Sequence, residues 1–322
     1  MVSKCRSPIS VQFEITYRCN NKCQFCYNHI STKANCELDT QTTKLVLDQI
    51  WNAEIFSVNF NGGEPLLRND FFQITEYANQ LGLNLHLNTN ANLIGALEAK
   101  HISMYFPSIC TSILSFNESI HDSLSGRKGA FQDMLNGIHY LKSYGVYLAA
   151  NVMVCNSNHI DFEKTLKFLH SESIETLLIT RLIPSESNYN RLHISTENFI
   201  DVLRKTKTYQ DKYNHFKRIG LPQPIPICDL PDDLKSTVQS WNIPCTVGLC
   251  TLSISPDGLM HPCTLVDTPV LGDASKGKLY SSWKNFNGNR FFEKNHLQSR
   301  CLDCNLLSQC GGGCMGYNNA MK

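Results

Sequence analysis

Three cysteines on one short stretch carry the first chemical signal. Residues 11–27 read VQFEITYRCNNKCQFCY, which sets Cys19, Cys23 and Cys26 in a C-x3-C-x2-C spacing. Three thiolates on one loop can hold three corners of a cubane iron–sulfur cluster. Such clusters are ordinarily held by four cysteines, so one iron is left open for a ligand from outside the protein. Phe25, just before the last cysteine, is placed to pack against a bound planar group. Zinc is the other reading of this loop by itself. It asks for a fourth Cys or His nearby, and His29 lies three residues past Cys26.

A second set of thiols fills the end of the chain. Cys245 and Cys250 precede a stretch in which TLSIS alternates, Pro256-Asp257-Gly258 turns, and LMHPC returns to Cys263. That pattern predicts a β-hairpin. Cys301, Cys304, Cys310 and Cys314 follow as C-x2-C-x5-C-x3-C, after short aromatic segments around Trp283 and Phe291-Phe292 that predict short helices. The chain holds 15 cysteines in 322 residues, and these two sets account for ten. In a reducing cytosol clustered cysteines point to metal or catalysis, not to disulfides. Cys5, Cys36, Cys110, Cys155 and Cys228 stand apart and read as inert thiols. Cys228 has one further reading, as a hydrogen-atom donor to a substrate radical.

The elements that must position these thiols come from periodicity. Strand-like runs at 11–16, 55–60, 83–90, 109–116, 146–154 and 176–182 alternate with helical patterns at 38–53, 70–80, 93–100, 130–145, 161–170 and 196–211. Six such units imply a parallel sheet with helices outside, as an open sheet or a partial barrel. Ligands in such folds gather at the C-terminal ends of the strands. The three-cysteine loop lies just past the first strand. The other strand ends are polar: Asn61-Gly62-Gly63-Glu64-Pro65, Asn88-Thr89-Asn90, Ser115 with Asn117, Asn151 and Arg181. Taken alone, Asn88 and Arg181 read as satisfied strand-end groups. His121-Asp122 reads as a loop and helix-capping element with no nucleophile beside it. Residues 213–243 break the rhythm and read as a connection to a second domain; the stretch LPQPIPICDLP within them carries four prolines and cannot be regular helix.

The cysteine loop, followed by GGEP at the next strand end, resembles the radical S-adenosylmethionine (SAM) superfamily. The resemblance covers about residues 9–90 and 110–155. It implies an α/β fold with a partial (β/α)6 TIM-like barrel over residues 1–212. It also implies a 4Fe-4S cluster on Cys19, Cys23 and Cys26, whose open iron chelates SAM. Phe25, Gly62, Gly63, Glu64, Pro65, Thr89, Ser115, Asn151 and Arg181 are the SAM-contacting positions that follow from it. Residues 115–131 depart from the family's serine–acidic–glycine turn, with Asn117 and Glu118 at the acidic and glycine positions.

Residues 244–322 resemble the SPASM domain, a small cysteine-rich extension with a β-hairpin and short helices; the matching cysteines end at 314. Gly258 and Cys263 keep its hairpin spacing. The resemblance implies one auxiliary cluster on Cys245, Cys250, Cys263 and Cys314, and a second on Cys301, Cys304 and Cys310. The pattern's last cysteine is absent, so the second cluster is either open, unassembled, or completed by another group. Asn318, Asn319, the terminal carboxylate and Cys228 are the candidates. Two or three 4Fe-4S clusters and SAM are therefore the expected cofactors.

The formal charge of +1 gives no electrostatic case for nucleic acid or membrane partners. No apolar run approaches a membrane span, and no secretory signal opens the chain, so a cytoplasmic location is expected. The resemblance implies reductive cleavage of SAM to a 5′-deoxyadenosyl radical and hydrogen abstraction from a peptide or protein. Thioether or carbon–carbon crosslinking, epimerisation and side-chain oxidation are the outcomes it allows. An electron donor such as flavodoxin or ferredoxin is implied. The cluster loop starts too early to leave room for a leader-binding module before it, which suggests a separate leader-peptide-binding partner. A small-molecule dehydrogenase or epimerase is the alternative. A non-catalytic iron–sulfur scaffold or electron carrier is the alternative from another class, and the SAM-like strand ends speak against it.

Overall fold

The computed structural model describes residues 4–27, 36–183, 189–266, 268–289, 291 and 299–320. His29, Phe292 and the terminal carboxylate therefore lie outside the described residues. Seven parallel strands follow one another in space as in sequence: β1 (Ser10–Thr16), β2 (Ser57–Gly62), β3 (Asn84–Thr89), β4 (Ser108–Ser112), β5 (Tyr147–Val154), β6 (Thr176–Arg181) and β7 (Arg218–Gly220). The helices between them are α1 (Thr40–Asn52), α2 (Phe71–Gln80), α3 (Ala96–Tyr105), α4 (Glu118–Ser125), α5 (Ala130–Ser143), α6 (Phe162–Ser171), the single turn α7 (Tyr189–Leu192) and α8 (Thr196–Tyr213). This is the α/β architecture of a partial barrel.

Alternation along the strands decides which face is which. Val11, Phe13, Ile15, Val58, Phe60, Leu85 and Leu87 turn one way and are buried with Val46, Leu47, Ile50, Phe71 and Ile74 of the helices. Gln12, Asn59, Asn61, His86 and Asn88 occupy the alternate positions. There the Asn59 and Asn61 side chains both donate to Gln12 Oε1, at 2.8 and 3.2 Å. The face opposite the helices carries these polar side chains, several of which line the space that the sheet curves around. In the first helix Val46 and Ile50 are buried, whereas Leu45 and Trp51 are exposed.

Two features go beyond the sequence reading. The segment 213–243, read as a connection, also holds regular structure. It contributes β7, which extends the barrel sheet, and the helix α9 (Asp232–Trp241). The prolines fall before α9, with Pro231 at its N-cap and Asp232 and Asp233 in its first turn, where negative charge suits the helix dipole. The C-terminal hairpin forms as expected, from β8 (Thr251–Ile254) and β9 (Leu259–His261). β8 pairs in parallel with β1, Ser10 to Thr251 through Phe13 to Ile254, so hairpin and barrel share one ten-stranded sheet that ends at β10 (Gly272–Asp273). The chain closes with α10 (Leu279–Asn285), α11 (Ser299–Leu302), α12 (Leu307–Cys310) and α13 (Met315–Ala320). Among the described residues no helix is long and apolar enough to cross a membrane.

Candidate active site

A cleft of about 1030 Å³ opens at the C-terminal ends of the first five strands. Cys19, Cys23 and Cys26 line it together with Phe25, Gly62, Gly63, Thr89 and Asn151. The loop carrying the thiols rests on the end of α4. The Lys22 and Gln24 amides donate to Ser125 and Leu124 carbonyls, each at 3.0 Å, and Arg127 Nε donates to Asn21 Oδ1 at 2.9 Å. Gly126, in the left-handed region at φ +67°, closes α4. A β-carbon there would lie 2.2 Å from the Lys22 carbonyl oxygen. Asn117, where the family pattern has an acid, caps α4 by accepting from the Ile120 amide at 3.2 Å.

The two glycines of GGEP answer to a demand from the chain itself. A β-carbon on Gly63 would lie 2.0 Å from the Arg18 carbonyl oxygen, and one on Gly62 would lie 2.5 Å from that of Thr16. The Gly63 and Glu64 amides donate to these same two carbonyls, Thr16 and Arg18, at 2.8 Å each. The turn after β2 is thereby clamped against the start of the cysteine loop. Glu64 does not line the cleft. Its buried carboxylate accepts from Thr89 Oγ1 and the Asn90 amide at 2.8 Å, and from the Leu66 amide at 3.2 Å. It ties the end of β2 to the end of β3, and burial pushes its pKa up to about 7. Pro65 is buried in the same turn, in the single 3-10 turn that Glu64 caps.

Two further expected positions are also not brought to the cleft. Ser115 is buried and its Oγ accepts from the Asn117 amide at 3.1 Å. Arg181 lines a separate cavity, stacked over Tyr317. Conversely, the cleft recruits residues that the strand pattern left aside: Asn88, Cys110, Ser112, Tyr27 and His121. His121, read from sequence as part of a capping loop, sits inside α4. It is buried, its Nδ1 accepts from the Leu114 amide at 3.4 Å, and burial lowers its pKa to about 4. Asp122 does the capping, accepting from the Gly129 and Phe131 amides at the head of α5. The polar alternation of β3 and β4 was the available signal for Asn88, Cys110 and Ser112.

Burial raises the Cys19 thiol to about 11 and Cys23 to about 12, and each thiolate opposes the next. A bound cation reverses this balance and deprotonates coordinating thiols. Three soft thiols on one wall of the cleft are a donor set that fits an iron–sulfur cluster. Among the described residues, no three His, Cys, Asp or Glu side chains converge on a single-ion point.

The C-terminal thiols fall into two places. Cys245, Cys250 and Cys263 share one apolar cluster with Cys5, beside Val247 and Met315. Charge coupling links Cys314 to Cys245 and Cys263. Cys5, expected to be inert, is joined to Cys250 in a disulfide, with a Cα–Cα distance of 5.2 Å. Cys250 therefore appears here bonded to a fifth cysteine of this site. Cys301 and Cys310 are buried, and the Ile227 amide donates to Cys310 Sγ at 3.4 Å. Cys228, next in sequence, is exposed and lies against Cys310 and Asp229, not in the cleft. The proline-rich loop thus reaches the last cysteines, and Cys228 is not among the residues that line the cleft. Asn318 donates to the Gly312 carbonyl at 2.9 Å.

Residues 13–169 match the family described as the Radical SAM superfamily. The mycofactocin maturase MftC of Mycolicibacterium smegmatis is 24% identical over 322 residues, covering 96% of this chain and 78% of that protein. An AdoMet-dependent heme synthase of Oleidesulfovibrio alaskensis is 26% identical, covering 94% and 81%. A PqqA peptide cyclase of Ruegeria pomeroyi is 25% identical, covering 96% and 82%. Streptococcus suis SuiB, solved bound to its precursor peptide SuiA, shares the fold with a TM-score of 0.76 at 16% identity, over 97% of this chain and 72% of that one.

Proposed function

We propose that the chain is an enzyme of the Radical SAM superfamily, which residues 13–169 match, and that it modifies a peptide or protein by hydrogen-atom abstraction. One observation carries the reading: three thiols and four polar or glycine-lined strand ends, those of β2 to β5, face one cleft of about 1030 Å³. When bound, the 4Fe-4S cluster and SAM supply the one-electron chemistry, reductive cleavage of SAM to the radical that takes the hydrogen atom. Cys19, Cys23 and Cys26 are the residues to hold the cluster. The Gly62 and Gly63 backbone, Thr89, Asn151 and Phe25 are those to hold SAM. His121, kept neutral by burial, adds a polar wall without a charge. Glu64 and the glycine clamp hold the cysteine loop and the strand ends in fixed relation, the preorganisation a radical site needs.

The peptide reading draws support from the named activities of the relatives, a maturase and a peptide cyclase. Which bond is made stays with the substrate. Crosslinking, epimerisation and side-chain oxidation all fit. We further assign residues 1–212 to the SAM barrel, 213–243 to the connection and 244–322 to the auxiliary-cluster region. Cys245, Cys250, Cys263 and Cys314 form one donor set there. Cys301, Cys304 and Cys310 form another, with Cys228 as the nearest thiol to complete it. The first set assembles only after the Cys5–Cys250 bond is reduced. Thirteen further cysteines outside that bond suit a reducing, cytoplasmic setting. A flavodoxin or ferredoxin as electron source and a separate leader-binding protein are the partners this reading asks for.

The heme synthase relative favours a second reading, a small-molecule substrate in the same cleft. A deuterated peptide separates the two. Short peptides encoded beside the gene are prepared fully deuterated and incubated with reconstituted enzyme, SAM and reductant. The peptide reading expects deuterium in the 5′-deoxyadenosine released. Turnover with none from any peptide, restored by a fraction of small metabolites, replaces it with the second reading.

A further inference from the structure

A second cavity, of about 780 Å³, lies between the end of β6, the start of α8 and the C-terminal helix α13. It shares no lining residue with the cysteine cleft. Arg181 forms its floor. The guanidinium stacks on the Tyr317 ring at 3.8 Å and faces Phe199 at 5.4 Å. Its Nε and Nη2 are buried and have no hydrogen-bond partner among the described residues. These two nitrogens are the adjacent pair on one edge of the guanidinium, whose N–H bonds run parallel. That edge is the geometry that grips a two-oxygen anion side-on.

The nearest carboxylate does not answer the need. Asp229 also lines the cavity, but Arg300 holds both of its oxygens, Nη1 to Oδ1 at 2.7 Å and Nη2 to Oδ2 at 3.0 Å. The pair satisfies itself and leaves the Arg181 edge without a hydrogen-bonded carboxylate among the described residues. Burial depresses the Arg181 pKa, and Tyr317, Cys314 and Asp229 offset part of that. The start of α8 adds to the positive field: Ser195 and Thr196 line the cavity at the N-terminal end of an 18-residue helix. The walls, Ile194, Phe199, Ile225 and Tyr317, are apolar or aromatic.

We propose that this cavity is a subsite for a carboxylate of the substrate, gripped side-on by Arg181. Resting on the peptide reading above, the carboxylate belongs to an Asp or Glu side chain or to a peptide C-terminus. A planar carboxylate matches the free edge of Arg181, and the apolar walls take the carbon atoms that carry it. The subsite fixes one acidic group of the substrate beside the auxiliary cysteines and outside the SAM cleft.

Three small probes test it by calorimetric titration of the reconstituted holoenzyme. N-acetylglutamine carries only a terminal carboxylate, N-acetylglutamate α-amide only a side-chain carboxylate, and N-acetylglutamine amide neither. The proposal expects at least one acid to bind roughly tenfold or more tighter than the neutral probe, the preference of a charge-assisted bidentate bond. Which acid binds identifies the source of the carboxylate. Arg181→Gln is expected to abolish the preference, Arg181→Lys to keep part of it, and saturating SAM to leave it unchanged. Equal binding of all three probes to the unaltered enzyme overturns the proposal without needing any variant. Competition by SAM overturns it too, by returning Arg181 to the SAM site. Peptide turnover without probe preference would sink the subsite and keep the peptide reading. Probe preference with no peptide accepted would do the reverse.

Discussion

Glu64→Gln is the perturbation whose outcome follows most directly from the structure. The Glu64 carboxylate is buried, accepts three hydrogen bonds, and has its pKa raised to about 7, chiefly by burial. The folded protein therefore binds a proton that the unfolded chain, at the ordinary glutamate value of about 4.3, has already released. A raised carboxylate pKa contributes stability that is present below the unfolded value and is lost as pH rises through the folded one. The window runs from about pH 4.5 to 7. At 1.36 kcal/mol per pKa unit the loss is about 3 kcal/mol. Glutamine resembles the protonated acid. It can donate to Thr89 Oγ1 and accept from the Asn90 amide, giving up only the longer Leu66 bond. At pH 5 the variant should match the parent to within about 1 kcal/mol. By pH 8 it should be the more stable by about 2 kcal/mol or more. At roughly 2 °C per kcal/mol for a chain of this size, the difference in melting temperature should swing by roughly 6 °C between the two pH values. Differential scanning calorimetry of parent and variant side by side cancels the groups that titrate in both. A constant gap across the window would refute the buried, proton-holding strut. A loss of SAM cleavage beyond roughly a hundredfold with melting unchanged would put the carboxylate on SAM instead.

Other consequences follow from the same geometry. Gly63→Ala forces a β-carbon to 2.0 Å from the Arg18 carbonyl, while Gly272→Ala in β10 meets the Ser282 hydroxyl at 2.1 Å, and neither Gly272 nor Ser282 lines the cleft. Both should lower the melting temperature, but only Gly63→Ala should also abolish SAM cleavage per folded molecule, measured as 5′-deoxyadenosine against folded fraction. Thiol titration of the denatured, unreduced apoprotein should find 13 of the 15 cysteines, the other two being Cys5 and Cys250; finding all 15 would remove the disulfide. In a Cys19/Cys23/Cys26 triple-alanine background, iron analysis should give about eight irons from two four-iron clusters. Adding Cys228→Ala should reduce the count if that thiol completes the second cluster, and an unchanged count would release Cys228 from the role.

Much of this was legible in the residues. The six strands and their helices fall where apolar periodicity puts them, because long amphipathic segments report their buried face directly. The cysteine loop and the two glycines are local signals, and the structure keeps them together. What escaped the sequence is long-range. Nothing in TLSIS says that it pairs with β1, 240 residues away, since parallel pairing leaves no local turn to read. Cys5 meets Cys250 across the same seam. The short strand β7 and helix α9 hid behind prolines that end one residue before the helix. Glu64 and Arg181 are strand-end polar groups of one kind in sequence. Only packing turns one into a strut between β2 and β3 and the other into the floor of a separate cavity. His121 was hidden because a helix of eight residues, capped by Asn117 rather than an acid, did not stand out from a loop.

The central claim is that Cys19, Cys23 and Cys26 hold a cluster that cleaves SAM in the cleft they line. The direct measurement is 5′-deoxyadenosine formed by the anaerobically reconstituted protein with SAM and dithionite, beside the triple-alanine variant. The parent should release 5′-deoxyadenosine and the variant none, although the variant keeps its auxiliary iron. No 5′-deoxyadenosine from parent protein with full iron loading, or equal amounts from both, would contradict the account.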